Sequence, residues 1–278
     1  MEIISIISEM FSFAFLVRAI VVGLLVSLCA ALLGVNLVLK RYAMIGTGLS
    51  HVGFAAMVIA GVIDLAPVPF SLPVVIVSAF LLLRMNENSK VKGDSAVALV
   101  STSSMAIGVI VMGMTTGITL HICNVMFGSI FAMTQADMYL SVALSVVVIC
   151  LFVLFYKQLF AVTYDESFAQ ATGTRVGIYK SLLAILTAVT VVLGMRMMGA
   201  LLIASLTIFP ALSAMRLCKR FLSVVITSAV ISVVCFFVGM VFSFVLDLPP
   251  GASIVGVNLI VFTVFSGISF VRKRGISV

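Results

Sequence analysis

Charged residues are scarce in this chain of 278 residues. Asp, Glu, Lys and Arg together make up 9% of it, whereas hydrophobic residues make up 63%. A soluble core of this size could not bury so much apolar surface, which leaves lipid as the solvent for most of the chain. The scarcity of charge therefore excludes an ordinary soluble domain and predicts an integral membrane protein.

The usual signatures of an enzyme are also missing. The sequence has no GxxxxGKS or GxxxxGKT loop to cradle a nucleotide phosphate, and no HExxH or Ser/His/Asp arrangement around its two isolated histidines. Its five cysteines show no CxxC spacing, and we expect them to be small buried hydrophobic residues. We therefore expect no catalytic residue and no bound cofactor. Energy for uphill transport would come from an ion or from a partner.

No repeat, low-complexity tract or linker divides the chain, so a single transmembrane domain over residues 1–278 is predicted. A spanning helix needs about 20 apolar residues. The third apolar run is short and flanked by prolines, which indicates a half-span or a strongly tilted helix. Only Arg196 separates the sixth run from the seventh, so eight or nine spans are expected. The runs are Phe11–Leu39, Met44–Ile63, Val68–Leu83, Ser95–Met114, Met138–Phe160, Ile178–Met195, Met198–Leu217, Phe221–Leu246 and Ser253–Val271.

Lys and Arg are nearly absent from every second gap between these runs. The gaps around Asp64, His121 and Asp247 contain neither, and the gap after the sixth run contains only Arg196. Because Lys and Arg concentrate in cytoplasmic loops, we predict a plasma-membrane protein with its N-terminus outside and its C-terminus in the cytoplasm. The net charge of +7 is spread over five loops and forms no single patch, which argues against nucleic acid as a partner.

A polar motif opens the second run. Thr47 and His51 are four residues apart and so share one face of a helix. An ionisable residue within a span is a candidate for function, and neutral imidazole is a common ligand of zinc, manganese or iron. The alternative is a buried histidine that donates one hydrogen bond to a neighbouring carbonyl. The small residues nearby, which include Gly48 and Ser50, let another helix approach closely.

A polar island over residues 163–175, which we call the coupling segment, separates two spans on the basic side. Asp165 fits a helix N-cap, Glu166 follows in the first turn, and Gly173 fits a helix stop. Phe168 and Ala169 contribute to a weakly apolar stripe. The pattern predicts a short cytoplasmic helix suited to a groove in another protein, or else an ordinary capped loop helix.

Three further stretches are less specific. The seventh run is rich in small residues, and Pro210 is expected to kink it, as a helix lining a pathway would be. The outer turn at Leu246–Ser253 contains two prolines, and His121 is more simply a solvated loop histidine. The candidates to line a pathway are Ser50, Ser205, Thr207 and Pro210.

Four of these stretches, in order, resemble the membrane-permease subunits of ATP-binding-cassette importers for zinc, manganese and iron. That family typically shows Gly-Asp-x-Leu-Ser-His early, then a cytoplasmic Asp-x-x-Phe-Ala-x-x-x-Gly, a small-residue span ending in Pro-Ala, and a late Pro-x-Gly turn. The corresponding stretches here are Gly46–His51, Asp165–Gly173, Gly199–Ala211 and Pro249–Ala252. The likeness runs from residue 32 to residue 270.

The resemblance implies an all-α membrane bundle of eight or nine spans with a short cytoplasmic coupling helix. A separate cytoplasmic ATP-binding subunit, an extracellular metal-binding protein and a second copy of the chain are the implied partners. The residues implied to couple the chain to the ATPase are Asp165, Glu166, Phe168, Ala169 and Gly173. The implied cargo is a divalent metal ion, and the chain itself would hydrolyse nothing.

Thr47 departs from the family pattern, which has Asp at this position. In similar permeases that Asp and the His are taken to coordinate the passing ion, so the resemblance implies His51 as the principal ligand and Thr47 as a weaker one. A hydroxyl is a much poorer ligand for a hard dication than a carboxylate. A weaker site, a ligand borrowed from elsewhere, and a variant that transports inefficiently all remain open.

Two other kinds of transporter compete with this interpretation. A permease for a metal chelate, such as a siderophore or haem, would keep the architecture and change the cargo. An ion-driven secondary transporter would usually carry acidic residues in mid-span. The candidates here, Asp64, Asp137 and Asp247, fall at span ends. A membrane scaffold that transports nothing is a further alternative.

Overall fold

The computed structural model describes residues 14–88, 94–114 and 135–274. Across these residues the chain is helical and contains no strand, which confirms the predicted all-α class. The loop that contains His121 lies outside the described residues. The helices are α1 (Ala14–Leu39), α2 (Ile45–Val62), α3 (Pro67–Asn88), α4 (Asp94–Gly113), α5 (Gln135–Leu154), α6 (Tyr156–Tyr164), α7 (Glu166–Ala171), α8 (Val176–Met198), α9 (Ala200–Leu217), α10 (Phe221–Leu246) and α11 (Pro250–Arg274).

The predicted number of spans agrees with these helices. Within the described ranges, 8 helices are singly long and apolar enough to cross a membrane, and the bent pair α5–α6 raises the number to 9. The sixth and seventh runs form two helices, α8 and α9, which meet at Gly199 with φ at 85°. A side chain on Gly194 would overlap Ile203. Residues nine apart in one continuous helix lie about 13.5 Å apart, so the chain turns back at Gly199 and the two runs do not merge.

The third run is longer than predicted. The helix α3 covers 22 residues and contains a candidate span of 19 residues, Pro67–Met85, so the half-span alternative is wrong. Two of its three prolines, Pro67 and Pro69, stand in the first turn. Backbone N–H groups have no intrahelical partner there, so proline removes no hydrogen bond and the helix begins normally.

The fifth run is broken, although a continuous helix over Met138–Phe160 was predicted. The axes of Met138–Leu154 and Tyr156–Tyr164 differ by 69°. The break at Phe155 comes just before Lys157, whose side chain is exposed. A charged side chain is costly within the bilayer. The change of helix direction at this point would let Lys157 stay accessible to water.

The core lies around α1 and α2. Of the apolar window of α2, 72% is buried within the chain, compared with 11% for α11. Gly34 of α1 sits so close to the Thr207 carbonyl of α9 that a side chain would overlap it, and Gly46 of α2 faces Thr207 from the other side. Small residues allow this backbone approach. The second span is therefore the most enclosed of the described spans, and the outer helices present apolar side chains toward lipid.

Candidate metal pathway and coupling segment

Glycines bring two neighbouring helices close to α2. A Cβ on Gly48 would lie 2.7 Å from Val97 of α4, and one on Gly53 would lie 2.8 Å from Met195 of α8. Thr47 and His51, on the same helix, are half-buried. The small residues of this motif thus pack helices, as the simpler interpretation expected, and they also bring α4 within reach of the histidine.

His51 is held by a residue that the sequence analysis missed. The hydroxyl of Ser101 on α4 lies 2.6 Å from His51 Nδ1, and Ser101 itself is buried. A neutral imidazole has one N–H and one lone pair. When Ser101 accepts a hydrogen bond from Nδ1–H, the lone pair of Nε2 remains for a metal ion. The signal available in the sequence was the run of hydroxyl residues, Ser101–Ser104, within an otherwise apolar helix.

The described part of one chain does not enclose an ion with strong ligands. It contains no group of three or more His, Cys, Asp or Glu side chains that could hold a metal. The structure gives the second span one imidazole and the hydroxyl of Thr47, four residues away on the same helix. Further ligands would come from another chain, from backbone carbonyls or from outside the described residues.

The four pathway candidates are all buried between helices of the same chain. Ser50 donates to the Thr47 carbonyl at 2.8 Å and Thr207 to the Ile203 carbonyl at 2.8 Å. Ser205 has a buried hydroxyl oxygen with no hydrogen-bond partner, and Pro210 lies inside α9. Their part in a pathway stays a prediction.

The ends of the short helix α7 agree with the predicted capping. The Phe168 N–H donates to the Asp165 carboxylate at 2.9 Å, which confirms the N-cap. Gly173 has φ at 83° and lies just past the helix. The Thr174 N–H donates to the Ala169 carbonyl at 3.0 Å and the Gly173 N–H to the Gln170 carbonyl at 3.1 Å. This pair of bonds is the Schellman arrangement, which favours glycine at the left-handed position.

The predicted coupling residues do not all face the same way. Ala169 is completely buried, whereas 64% of Phe168 is exposed. Glu166 accepts hydrogen bonds from Lys40 at 2.9 Å and Lys180 at 2.6 Å. Burial alone would raise the pKa of Glu166, but the hydrogen bonds and charges of Lys180 and Lys40 outweigh it and hold the pKa below its ordinary value. The carboxylate is therefore ionised at neutral pH and bound within the chain.

Comparison with known proteins gives consistent results. The manganese transport system membrane protein MntC of Halalkalibacterium halodurans is 27% identical over 269 residues, which cover 96% of this chain and 91% of that protein. The high-affinity zinc uptake system membrane protein ZnuB of Haemophilus influenzae is 27% identical over 244 residues, covering 87% and 93% of the two chains.

The fold is also that of a solved membrane complex. A chain of PsaBC from Streptococcus pneumoniae, solved with a Fab, superposes with a TM-score of 0.85 over 95% of each chain, at 24% identity. At this identity the likeness concerns the fold alone. The sequence matches the ABC 3 transport family over residues 12–269. Since the match covers nearly the whole chain, including the second span and the coupling segment, this protein belongs to the ABC 3 transport family.

Proposed function

We propose that this chain is the membrane permease of an ATP-driven importer for a divalent metal ion: zinc, manganese or iron. The observation that carries the proposal is a half-buried histidine in the most enclosed of the described spans, in a chain of the ABC 3 transport family. The relatives named for manganese and zinc transport support the same cargo class. The chain supplies the path, and a separate cytoplasmic ATPase supplies the energy.

His51 is the proposed ligand of the passing ion, through Nε2, with Thr47 as a weaker oxygen ligand. The contact between Ser101 and Nδ1 supports this assignment, because metal-bound histidines usually have their other nitrogen hydrogen-bonded. A transported ion has to be released as well as bound. A site with one imidazole and a hydroxyl suits such transient binding better than a closed structural site would.

A second copy of the chain is the proposed source of the missing ligands. The described part of one chain lacks a complete ligand group, and the face with Thr47 and His51 is only half-buried. Thr102 and Ser103, beside Ser101 on α4, are exposed hydroxyl residues within a span. A homodimer with the path between the copies would cover this polar face and bring a second His51 to it.

The coupling segment is the proposed docking site for the ATPase, on the cytoplasmic side, and an extracellular metal-binding protein would deliver the ion to the opposite side. The exposed aromatic ring of Phe168 on a helix fixed at both ends supports this assignment. Asp64 and Asp247 lie in turns after α2 and α10. They therefore offer no mid-membrane carboxylate of the kind on which a secondary transporter depends.

The test is uptake of zinc, manganese and iron by cells that lack this gene, complemented with the wild-type chain or with His51→Ala. We expect the wild-type chain to restore uptake of at least one of the three ions, and His51→Ala to fail at equal membrane abundance. Restoration of siderophore or haem uptake alone would contradict the proposal and favour a chelate permease.

A further inference from the structure

One carboxylate connects the coupling segment to two different spans. Lys40 Nζ donates to Glu166 Oε1 at 2.9 Å, and Lys180 Nζ donates to Oε2 at 2.6 Å. Lys40 directly follows α1, and Lys180 lies near the start of α8. Each oxygen of Glu166 is thus bound to the end of a different spanning helix.

Burial distinguishes this arrangement from an ordinary surface ion pair. The side chains of Lys40 and Lys180 are 5% and 17% exposed, whereas that of Glu166 is 42% exposed. Exposed ion pairs contribute little to stability, and the shielded ammonium groups set this arrangement apart from such pairs. Loss of the Glu166 charge would weaken the attachment of the coupling segment to both lysines.

A second contact holds the same segment to α1. The Thr163 hydroxyl donates to Asn36 Oδ1 at 2.9 Å, and Asn36 is completely buried one turn before Lys40. The segment is therefore attached to the end of α1 on both sides of Asp165. Attachment at two points restricts rotation of α7 relative to α1 more than either contact would alone.

Two aromatic side chains of the segment are exposed. Phe168 is 64% exposed and Tyr164 is 81% exposed, whereas both oxygens of Glu166 are engaged within the chain. A docked partner would therefore meet the aromatic rings first. The segment thus combines exposed aromatic rings with a partly exposed carboxylate whose two oxygens are bound within the chain.

Of the two helices that Glu166 holds, α8 packs against the helix of the candidate metal site, and α1 is connected to that helix through α9. Met195 of α8 lies against Gly53 of α2, two residues from His51. Gly34 of α1 lies against Thr207 of α9, which also faces Gly46 at the start of α2. A displacement of α8 would thus act directly on the helix that carries His51, and a displacement of α1 would reach that helix through α9, because packed helices shift as units.

We propose that Glu166 is the positioning residue that transmits movement of α7 to α1 and α8, and that it is not a contact to the ATPase. The proposal rests on the proposed function in one respect, which is that the coupling segment docks on an ATPase. It assigns different roles to two parts of the segment. The exposed rings of Phe168 and Tyr164 bind the partner, and the Glu166 carboxylate carries the movement into the spans.

The test is Glu166→Gln in the complex of this chain with its ATPase, reconstituted in lipid vesicles. Glutamine keeps the size of the side chain and removes its charge. We expect the complex to assemble and hydrolyse ATP as the wild type does, with metal uptake per ATP reduced about tenfold. Glu166→Asp, which keeps the charge but is too short to reach both lysines well, should give an intermediate ratio.

Two other variants complete the experiment. Lys157→Gln removes one charge from an exposed side chain on the neighbouring helix α6 and should change nothing. Phe168→Ala should weaken assembly with the ATPase. Because the ratio is measured only on assembled complexes, a lower yield of Glu166→Gln does not obscure it.

The inference would be overturned if Glu166→Gln assembled poorly while the assembled fraction kept normal uptake per ATP, since Glu166 would then be a docking residue. A normal ratio at normal assembly would also overturn it. Failure of the proposed function looks different: the wild type and Lys157→Gln would themselves fail to assemble with the ATPase.

Discussion

The coupling segment and the candidate metal site on α2 are held in place in different ways. The coupling segment is fixed by an N-cap, a Schellman turn, two lysines on one carboxylate and the bond between Thr163 and Asn36. At the candidate metal site, the His51 ring bonds to Ser101. The first region is fixed by polar and capping contacts, and the second mainly by the close packing of α2 against α4, α8 and α9.

The difference follows from what each region has to do. An N-cap contributes about 1 kcal/mol and a left-handed residue other than glycine costs about 1–2 kcal/mol, so the coupling helix, only 6 residues long, needs several such contributions to persist. A site for a transported ion must bind and then release it, which limits how many strong ligands it can hold. Polar contacts are therefore concentrated where force would be transmitted, and few strong ligands stand where the ion would pass.

The largest effect should come from His51→Ala. Imidazole is the one strong ligand identified at this face, so we expect uptake to fall at least about 100-fold with membrane abundance unchanged. Parallel measurement of uptake and abundance separates loss of a ligand from loss of folding. If abundance fell as far as uptake, His51 would be a structural histidine. The contrast between a site for the ion and the coupling segment would then no longer hold.

Ser101→Ala should weaken metal binding about tenfold, because the ring of His51 would lose the hydrogen bond that orients it. The effect should appear in the half-saturating metal concentration more than in the maximal rate, and Ser101→Thr should restore it. Thr263→Ala is the control, since that exposed hydroxyl bonds to its own helix, α11, at Leu259. Equal losses for both alanine variants would mean that the loss does not depend on the contact with His51.

Gly173→Val should reduce uptake per ATP by about fivefold to tenfold. Open space surrounds the position, so valine meets no neighbour, but φ at 83° strains any β-branched residue. Gly177→Val is the control, because that glycine also has open space and lacks the left-handed conformation. ATP hydrolysis and uptake measured together would show uncoupling. Normal coupling in Gly173→Val would show that the geometry of the helix end is dispensable.

Thr47→Asp should keep uptake equal or raise it a few-fold, since a carboxylate adds charge and a hard oxygen ligand beside His51. In a purely structural face the same change would bury an unpaired charge, at a cost of several kcal/mol, and lower abundance. Uptake measured per molecule in the membrane distinguishes a ligand at position 47 from a purely structural residue. This variant tests whether the candidate site on α2 binds weakly because it lacks a carboxylate at position 47.

The orientation that underlies the comparison can be tested without any effect on activity. We expect Ser253→Cys to react with an impermeant thiol reagent from outside intact cells and Ser277→Cys to react only after the cells are opened, on the basis of the basic loops. Labelling of Ser277→Cys from outside would reverse the orientation. The coupling segment would then face away from any cytoplasmic ATPase.

Much of this architecture could be predicted from local sequence. Apolar length determined the spans, and Asp165 and Gly173 marked the ends of α7, because caps and helix stops depend on residues within about four positions. Local signals failed where neighbouring features competed. The break at Phe155 was missed because the apolar run continues past it. The length of α3 was underestimated because two of its three prolines lie in the first turn, where they remove no hydrogen bond.

The pairing of helices was decided by the tertiary structure alone. Ser101 reaches His51 from 50 positions away, and Lys40 reaches Glu166 from 126 positions away. The hydrophobic periodicity of the sequence does not predict such contacts. A helix in lipid is apolar both on the side that faces a neighbouring helix and on the side that faces the bilayer. The sequence by itself determined which segments cross the membrane and where the coupling helix begins and ends. Close packing at glycines and the charges on Glu166, Lys40 and Lys180 decided which segments meet.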